Sequence, residues 1–217
     1  MTSDELPMTS ITHGSRWKEL VILLGVCGAF IFWGIGTISL LDPDEGLYGT
    51  IARVMAGGGD WIIPYFNGLP YLEKPPLYFW LTALTMKVSG PSEWALRLWS
   101  MLSALGTVLL AWRMGRRLYG STGGLLAGLA LATTAGYVLY VRKASTDFLL
   151  VFCLTLAVYG FIRDVERPDR GWTRFLLLYL GAALGVLTKG LIGVVFPLLI
   201  VGISLVWVRR LSLSELN

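Results

Sequence analysis

Asp42, Asp44 and Glu45 cluster in "LDPDEGLYGTIARVM" (residues 41–55), directly after a run from Leu20 to Leu41 that holds no charge. Carboxylates placed there suit two kinds of chemistry. One can accept the proton of an attacking hydroxyl, and another can orient a polar substrate. The bland account is a helix start: Asp42 as N-cap, Pro43 at the first helical position, and Asp44 and Glu45 in a first turn that favours acids. The two accounts are compatible. Three further stretches carry candidates. In Glu73-Lys74-Pro75-Pro76, the prolines favour a helix beginning at or just after them. Lys74 then stands beside outward-pointing N–H groups, a good setting for a phosphate; snorkelling to headgroups is the plainer role. In "VRKASTDF" (residues 141–148), Asp147 opens an apolar segment behind Ser145 and Thr146. It is a functional acid at membrane depth or a capping residue with Arg142 as partner. In "LTKGLIG" (residues 187–193), Lys189 sits in a tight turn between apolar runs and calls for a partner, Asp147 or a phosphate.

The elements that must position these groups follow from hydropathy. Of 217 residues, 55% are hydrophobic and only 15% charged, against about 25% charge in soluble domains. The chain reads as an all-α integral membrane protein of about six spans. These run from Leu20 to Leu41, Trp94 to Trp112, Ser121 to Tyr140, Phe148 to Ile162, Phe175 to Leu187 and Leu191 to Val208. Two amphipathic outer-face helices lie in the loop 42–93. The first run is too long for the h-region of a signal peptide, and no small-residue cleavage site follows it. The helix opening at Pro43 ends at the glycines 57–59. It sets Leu47, Ile51, Val54 and Met55 against Glu45, Tyr48 and Arg53, as a helix along the membrane surface would. Trp61, Tyr65, Phe66, Tyr71, Tyr78, Phe79 and Trp80 read as an interfacial aromatic belt.

Basic clusters set the orientation. Arg16 and Lys18; Arg113, Arg116 and Arg117; Arg163, Arg167, Arg170 and Arg174; and Arg209 and Arg210 all fall on one side, the cytoplasmic one by the positive-inside rule. Residues 1–19 are then a cytoplasmic tail and 20–217 the transmembrane domain. Asp42, Asp44, Glu45, Asp60, Glu73, Glu93 and Asp147 share the outer face with Lys74, Arg142, Lys143 and Lys189. A lysine kept on the translocated side needs a reason, and a bound anion is one. The net charge of +4 is therefore a topology signal, not a nucleic-acid footprint. Cys27 and Cys153 sit in apolar runs and His13 is the single histidine, so neither a disulfide nor a His/Cys metal cluster is expected. Gly124 with Gly128, and Gly181 with Gly185, have the spacing of close helix packing.

The ordered set "DPDEGLYGTIARVM", "GDWIIPYFNGLPYLEKPPLYFW", "RLWSMLSALGTVLLAWRMGRRLYG", "RKASTDFLLVF" and "LTKG" resembles the lipid A aminoarabinose transferases, relatives of the protein O-mannosyltransferases. The resemblance covers nearly the whole chain from Leu20 onward. It implies a C-type glycosyltransferase of the cell inner membrane, acting at its outer face on a polyprenyl-phosphate sugar donor. It implies Asp44, with neighbouring Glu45 in the same catalytic motif, as the acid of the first outer loop, a catalytic base or acceptor-positioning group, and Asp147 as a second essential acid. It implies Lys74 and Lys189, and more loosely Arg142, beside the carrier phosphate, with Glu73 in support. Inversion at the anomeric carbon is the family expectation. The expected reaction is sugar transfer to lipid A or a protein hydroxyl, with no certain cofactor. Glu73 and Asp147 are acids able to hold a divalent metal, though no ligand spacing supports one. Family members are about twice as long, so the chain is expected to be an N-terminal half. That leaves a non-catalytic lipid-binding or assembly fragment as the rival. A transporter is disfavoured, because its charges would lie near mid-bilayer.

Overall fold

The computed structural model describes residues 16–37, 39–40, 43–165 and 173–214, with side chains as far as Trp207. The elements in order are α1 (Arg16–Cys27), a π-helical turn (Gly28–Phe32), α2 (Pro43–Ala56), β1 (Tyr65–Phe66), β2 (Leu69–Pro70) and α3 (Leu77–Ser89). They continue with α4 (Glu93–Thr133), α5 (Ala135–Val141), α6 (Thr146–Val165), α7 (Leu176–Lys189) and α8 (Ile192–Ser214). The expected tail is outside the described residues up to position 15, as are Asp42, Arg167 and Arg170.

The first span differs from its expected limits. It starts at Arg16 and stops at Phe32, because Trp33 turns extended and Gly34 takes φ +74°. α4 consists of two antiparallel helices: Gly120, at φ +77° and ψ −169°, reverses the chain. A side chain is strained at that φ, which is why glycine serves there. The third span breaks at Thr134, with α5 completing it. Among the described residues, α4 and α6 are the helices long and apolar enough to cross a bilayer; α7 and Ile192–Trp207 are shorter and apolar.

Helix packing rests on small residues where backbones meet. At Gly181 an added Cβ would stand 2.6 Å from both Ala157 N and Cys153 O, so α6 and α7 touch backbone to backbone. Gly181→Val is expected to destabilise the bundle by about 1–3 kcal/mol through overpacking. Thermal unfolding in detergent is the check; an unchanged transition would show that this interface yields freely.

α2 and α3 do not lie open along a surface. Glu45, Tyr48, Gly49, Ile51, Ala52 and Met55 form the buried face of α2, while Val54 is exposed. The expected amphipathic division is thus corrected at three positions. Glu45 is neutralised by a buried partner, Tyr48 packs into an aromatic cluster, and Val54 lies outside the face these residues define. Tyr78 and Phe79 are likewise core residues at 0% exposure, not members of a belt. Their rings meet Tyr48 edge-on, with centroids 6.0 and 5.7 Å away, a favoured aromatic arrangement. Between α2 and α3, Asn67 and Gly68 adopt positive φ and close the small β1–β2 hairpin, the chemistry of a two-residue turn.

The bundle has two chemically distinct ends. α6 carries Asp147 at its start and Asp164 near its finish, roughly 25 Å apart at the α-helical rise. α7 runs back so that Lys189, its last residue, meets Asp147. At the Asp164 end, Arg163 holds Asp164, Arg116 holds Glu19, and Arg117 donates to the carbonyl of Arg163. Basic residues far apart in sequence therefore converge at one end, and the candidate site residues at the other.

Candidate active site

Asp44 lies exposed in the first turn of α2, the turn that Pro43 opens. One helical turn on, the Tyr48 hydroxyl faces Asp44 Oδ2 at 3.4 Å. Lys74 donates to the same hydroxyl, with its ammonium 4.6 Å from the Tyr48 ring centroid. Lys74 precedes α3 by three residues, as Pro75 and Pro76 anticipate. Tyr48 thus links an acid on α2 to a base ahead of α3. Glu73 is exposed beside Tyr71, whose phenol is pushed up to about 12, first by burial and then by the Glu73 charge.

Asp147 occupies the first turn of α6. Its N–H donates to Ser145 Oγ at 3.0 Å, and Ser145 Oγ lies 3.0 Å from Asp147 Oδ2. Ser145 is therefore the cap and leaves one Asp147 oxygen to Lys189, which forms an ion pair with it. Both remain accessible, Asp147 at 63% and Lys189 at 32% side-chain exposure. Asp44 and Asp147, so distant in sequence, line one cavity of about 320 Å³ with Tyr140, Lys143, Ser145 and Phe148. That volume is in the range of small-molecule sites.

Beneath this cavity lies a buried support. Glu45, 1% exposed, accepts two hydrogen bonds from Arg97, Nε at 2.8 Å and an Nη at 2.9 Å. It also accepts the Ala144 N–H at 2.8 Å. Arg97 is 3% exposed and reaches the Ser39 carbonyl at 3.2 Å. Ser100 Oγ donates to the Ser145 carbonyl and accepts the Ser145 N–H, at 3.0 and 2.9 Å. The loop before Asp147 is thus held to α2 through Glu45 and to α4 through Ser100.

Most of the expected residues come together here: Asp44, Lys74, Asp147 and Lys189, with Glu73 close by. Glu45 is in the support beneath the cavity. Arg142 points elsewhere, donating to the Phe30 carbonyl at 3.3 Å; Lys143 lines the cavity instead. Sequence reasoning passed over Tyr48, Lys143 as a cavity residue, and Arg97. The signal for Arg97 was available: an arginine in an apolar helix needs a buried acid. Among the described residues, no three His, Cys, Asp or Glu side chains converge as metal ligands.

Such a cavity can hold an anionic group on Lys143, with Lys189 beside it on Asp147, while a carboxylate faces an incoming hydroxyl. Residues 73–216 match the family described as dolichyl-phosphate-mannose-protein mannosyltransferase. The chain is 36% identical over 197 residues to an uncharacterized protein of Aquifex aeolicus, covering 90% of this chain and 44% of that one. It is 32% identical over 202 residues to the undecaprenyl phosphate-alpha-4-amino-4-deoxy-L-arabinose arabinosyl transferase of Pseudomonas aeruginosa, covering 90% and 36%. The crystal structure of ArnT from Cupriavidus metallidurans bound to undecaprenyl phosphate superposes with a TM-score of 0.80 at 27% identity, covering 93% of this chain and 38% of that one. The chain therefore spans less than half the length of the curated relatives it matches.

Proposed function

Because the chain belongs to the dolichyl-phosphate-mannose-protein mannosyltransferase family, with an all-α membrane fold like that of ArnT, we propose that it builds the donor side of a glycosyl transfer from a polyprenyl-phosphate sugar. The observation that carries this reading is the shared cavity of Asp44 and Asp147, with Lys189 on Asp147 and Lys74 tied to Asp44 through Tyr48. In the transfer, the acceptor oxygen attacks the anomeric carbon and the bond to the carrier phosphate breaks. The phosphate leaves with the electron pair. Lys189, Lys143 and Lys74 stabilise the charge it gains, and Asp44 takes the proton of a hydroxyl acceptor. An acceptor that is already ionised would need Asp44 only for orientation.

The acceptor we propose is lipid A or a protein hydroxyl. The cavity faces the outer side of the inner membrane, and the Arg116–Arg163 end the cytoplasm, following the basic clusters. An apolar groove of about 300 Å³ suits the polyprenyl chain. It is lined by Leu77 and Leu81 of α3, Trp99 of α4, Leu149 and Phe152 of α6, and Leu184 of α7. α3 starts just after Lys74, α6 starts at Asp147's neighbour, and α7 ends at Lys189. A phosphate on the lysines would therefore have apolar helix surface continuing from it.

The first test is binding of undecaprenyl phosphate to the purified chain in detergent. Lys74→Ala is expected to weaken it roughly 10- to 100-fold, the value of a charge-assisted hydrogen bond to phosphate. Binding indifferent to Lys74 would take that lysine out of the phosphate site. Tight binding with no transfer by the chain alone favours the lipid-binding half of a larger enzyme.

A further inference from the structure

At the end of the bundle opposite the Asp44–Asp147 cavity, Arg16, Trp112, Arg113, Arg116, Arg117 and Tyr159 line a second cavity, of about 360 Å³. Arg113, Arg116 and Arg117 recur at the i, i+3, i+4 spacing of one helix face. Arg16 joins them from the first residue of α1, and Tyr159 from α6. Four arginines thus line one cavity together with a tryptophan and a tyrosine.

Among the described residues, the acids at this end are already committed. Glu19, 5% exposed, accepts from Arg116, from Ser121 and from Trp112 Nε1. Asp164, fully buried, accepts from Arg163 at 2.6 and 2.7 Å and from the Phe175 N–H at 3.0 Å. Among the described residues neither Arg16 nor Arg113 is in an ion pair, and the cavity lining carries four arginines and no acid. A topology signal requires only basic residues in short loops. Here three of the four arginines lie within a helix, ahead of the Gly120 turn, around a shared cavity.

The depth of the cavity points to its ligand. Trp17 and Tyr119, 77% and 79% exposed, flank it in sequence on α1 and α4, and exposed aromatics of this kind mark the headgroup level. One turn further along α1, Val21 and Ile22 are exposed and apolar, as acyl chains require. We infer that this cavity binds the phosphodiester headgroup of an anionic phospholipid, in the leaflet opposite the candidate active site. Arginine forks match phosphate oxygens in pairs, and basic pockets between membrane helices on the cytoplasmic side take such headgroups.

The test uses the full chain in detergent and native mass spectrometry, with phosphatidylglycerol, phosphatidylcholine and glycerol 3-phosphate as probes. Phosphatidylglycerol is expected to bind at least about tenfold tighter than phosphatidylcholine. The double variant Arg16→Gln, Arg113→Gln should lose roughly thirtyfold, given about one tenfold step or slightly less per basic residue. Both positions are exposed and outside the buried ion pairs, so the fold is preserved. Lys18→Gln, a nearby exposed charge outside the cavity, should change little. Equal binding of the two lipids overturns the inference, as does a double variant that binds like the parent or a Lys18→Gln that loses as much. Displacement by glycerol 3-phosphate at equal concentration also overturns it, making the site one for soluble phosphates.

Discussion

Alanine at Glu45 is expected to destabilise the protein by about 3–5 kcal/mol, as breaking a buried ion pair does. Arg97 would keep its charge at 3% exposure with the carbonyl of Ser39 in place of a carboxylate. Ala144 would lose its acceptor. Glu45→Gln keeps an acceptor and should cost less. Replacing both partners by methionine should recover much of the loss, since buried pairs are often no more stable than well-packed apolar side chains. Denaturant unfolding in detergent of the parent, Glu45→Met, Arg97→Met and the double variant measures the coupling between the two positions. Independent, additive losses would show that the pair does not act as a unit. The same series separates two roles for Glu45. A positioning residue needs the loop before Asp147 held in place, so any replacement that holds it should keep much of the transfer rate. A residue touching substrate would lose the rate even in a stable double variant.

This pair also shows where sequence reading stops. The limits of α2 and α3 are legible because local chemistry sets them: Pro43 and the glycines 57–59 for one, Pro75 and Pro76 for the other. Lys74 ahead of a helix and Ser145 ahead of Asp147 follow from the same local rules. The partnership of Lys189 with Asp147 was one of two options left open, and the ion pair realises it. Glu45 with Arg97 is different. Their separation of 52 positions carries no periodic signal, and an amphipathic template puts every acid on the wet face. Tyr48 failed for the same reason, since a phenol can be buried by ring contacts while its hydroxyl reaches Lys74. The break at Thr134 has no proline behind it. The common cavity of Asp44 and Asp147 depends on the loop before α6 being held to α2 through Glu45, and so was hidden with it.

Asparagine at Asp44, or at Asp147, is expected to reduce sugar transfer by the complete protein by roughly 10²- to 10⁴-fold, the usual value of a positioned proton-transfer group. Both side chains are exposed, so insertion and folding should be unchanged. Equal amounts of folded protein in the membrane must accompany the lost rate. The two variants should part company in donor binding. Asp44 meets Lys74 through the Tyr48 hydroxyl, whereas Lys189 pairs with Asp147, so Asp44→Asn should lower kcat and leave the affinity for polyprenyl phosphate nearly as it was. Asp147 shares an ion pair with Lys189, and its neutralisation removes a negative charge beside the proposed phosphate position. Asp147→Asn should therefore bind polyprenyl phosphate as tightly or tighter while transferring slowly. Transfer above a tenth of the parent rate in Asp44→Asn would remove it as the base and leave an orienting role. Weakened phosphate binding in Asp147→Asn would mean that Asp147 is needed to aim Lys189, with the lysine alone too mobile to hold the leaving group.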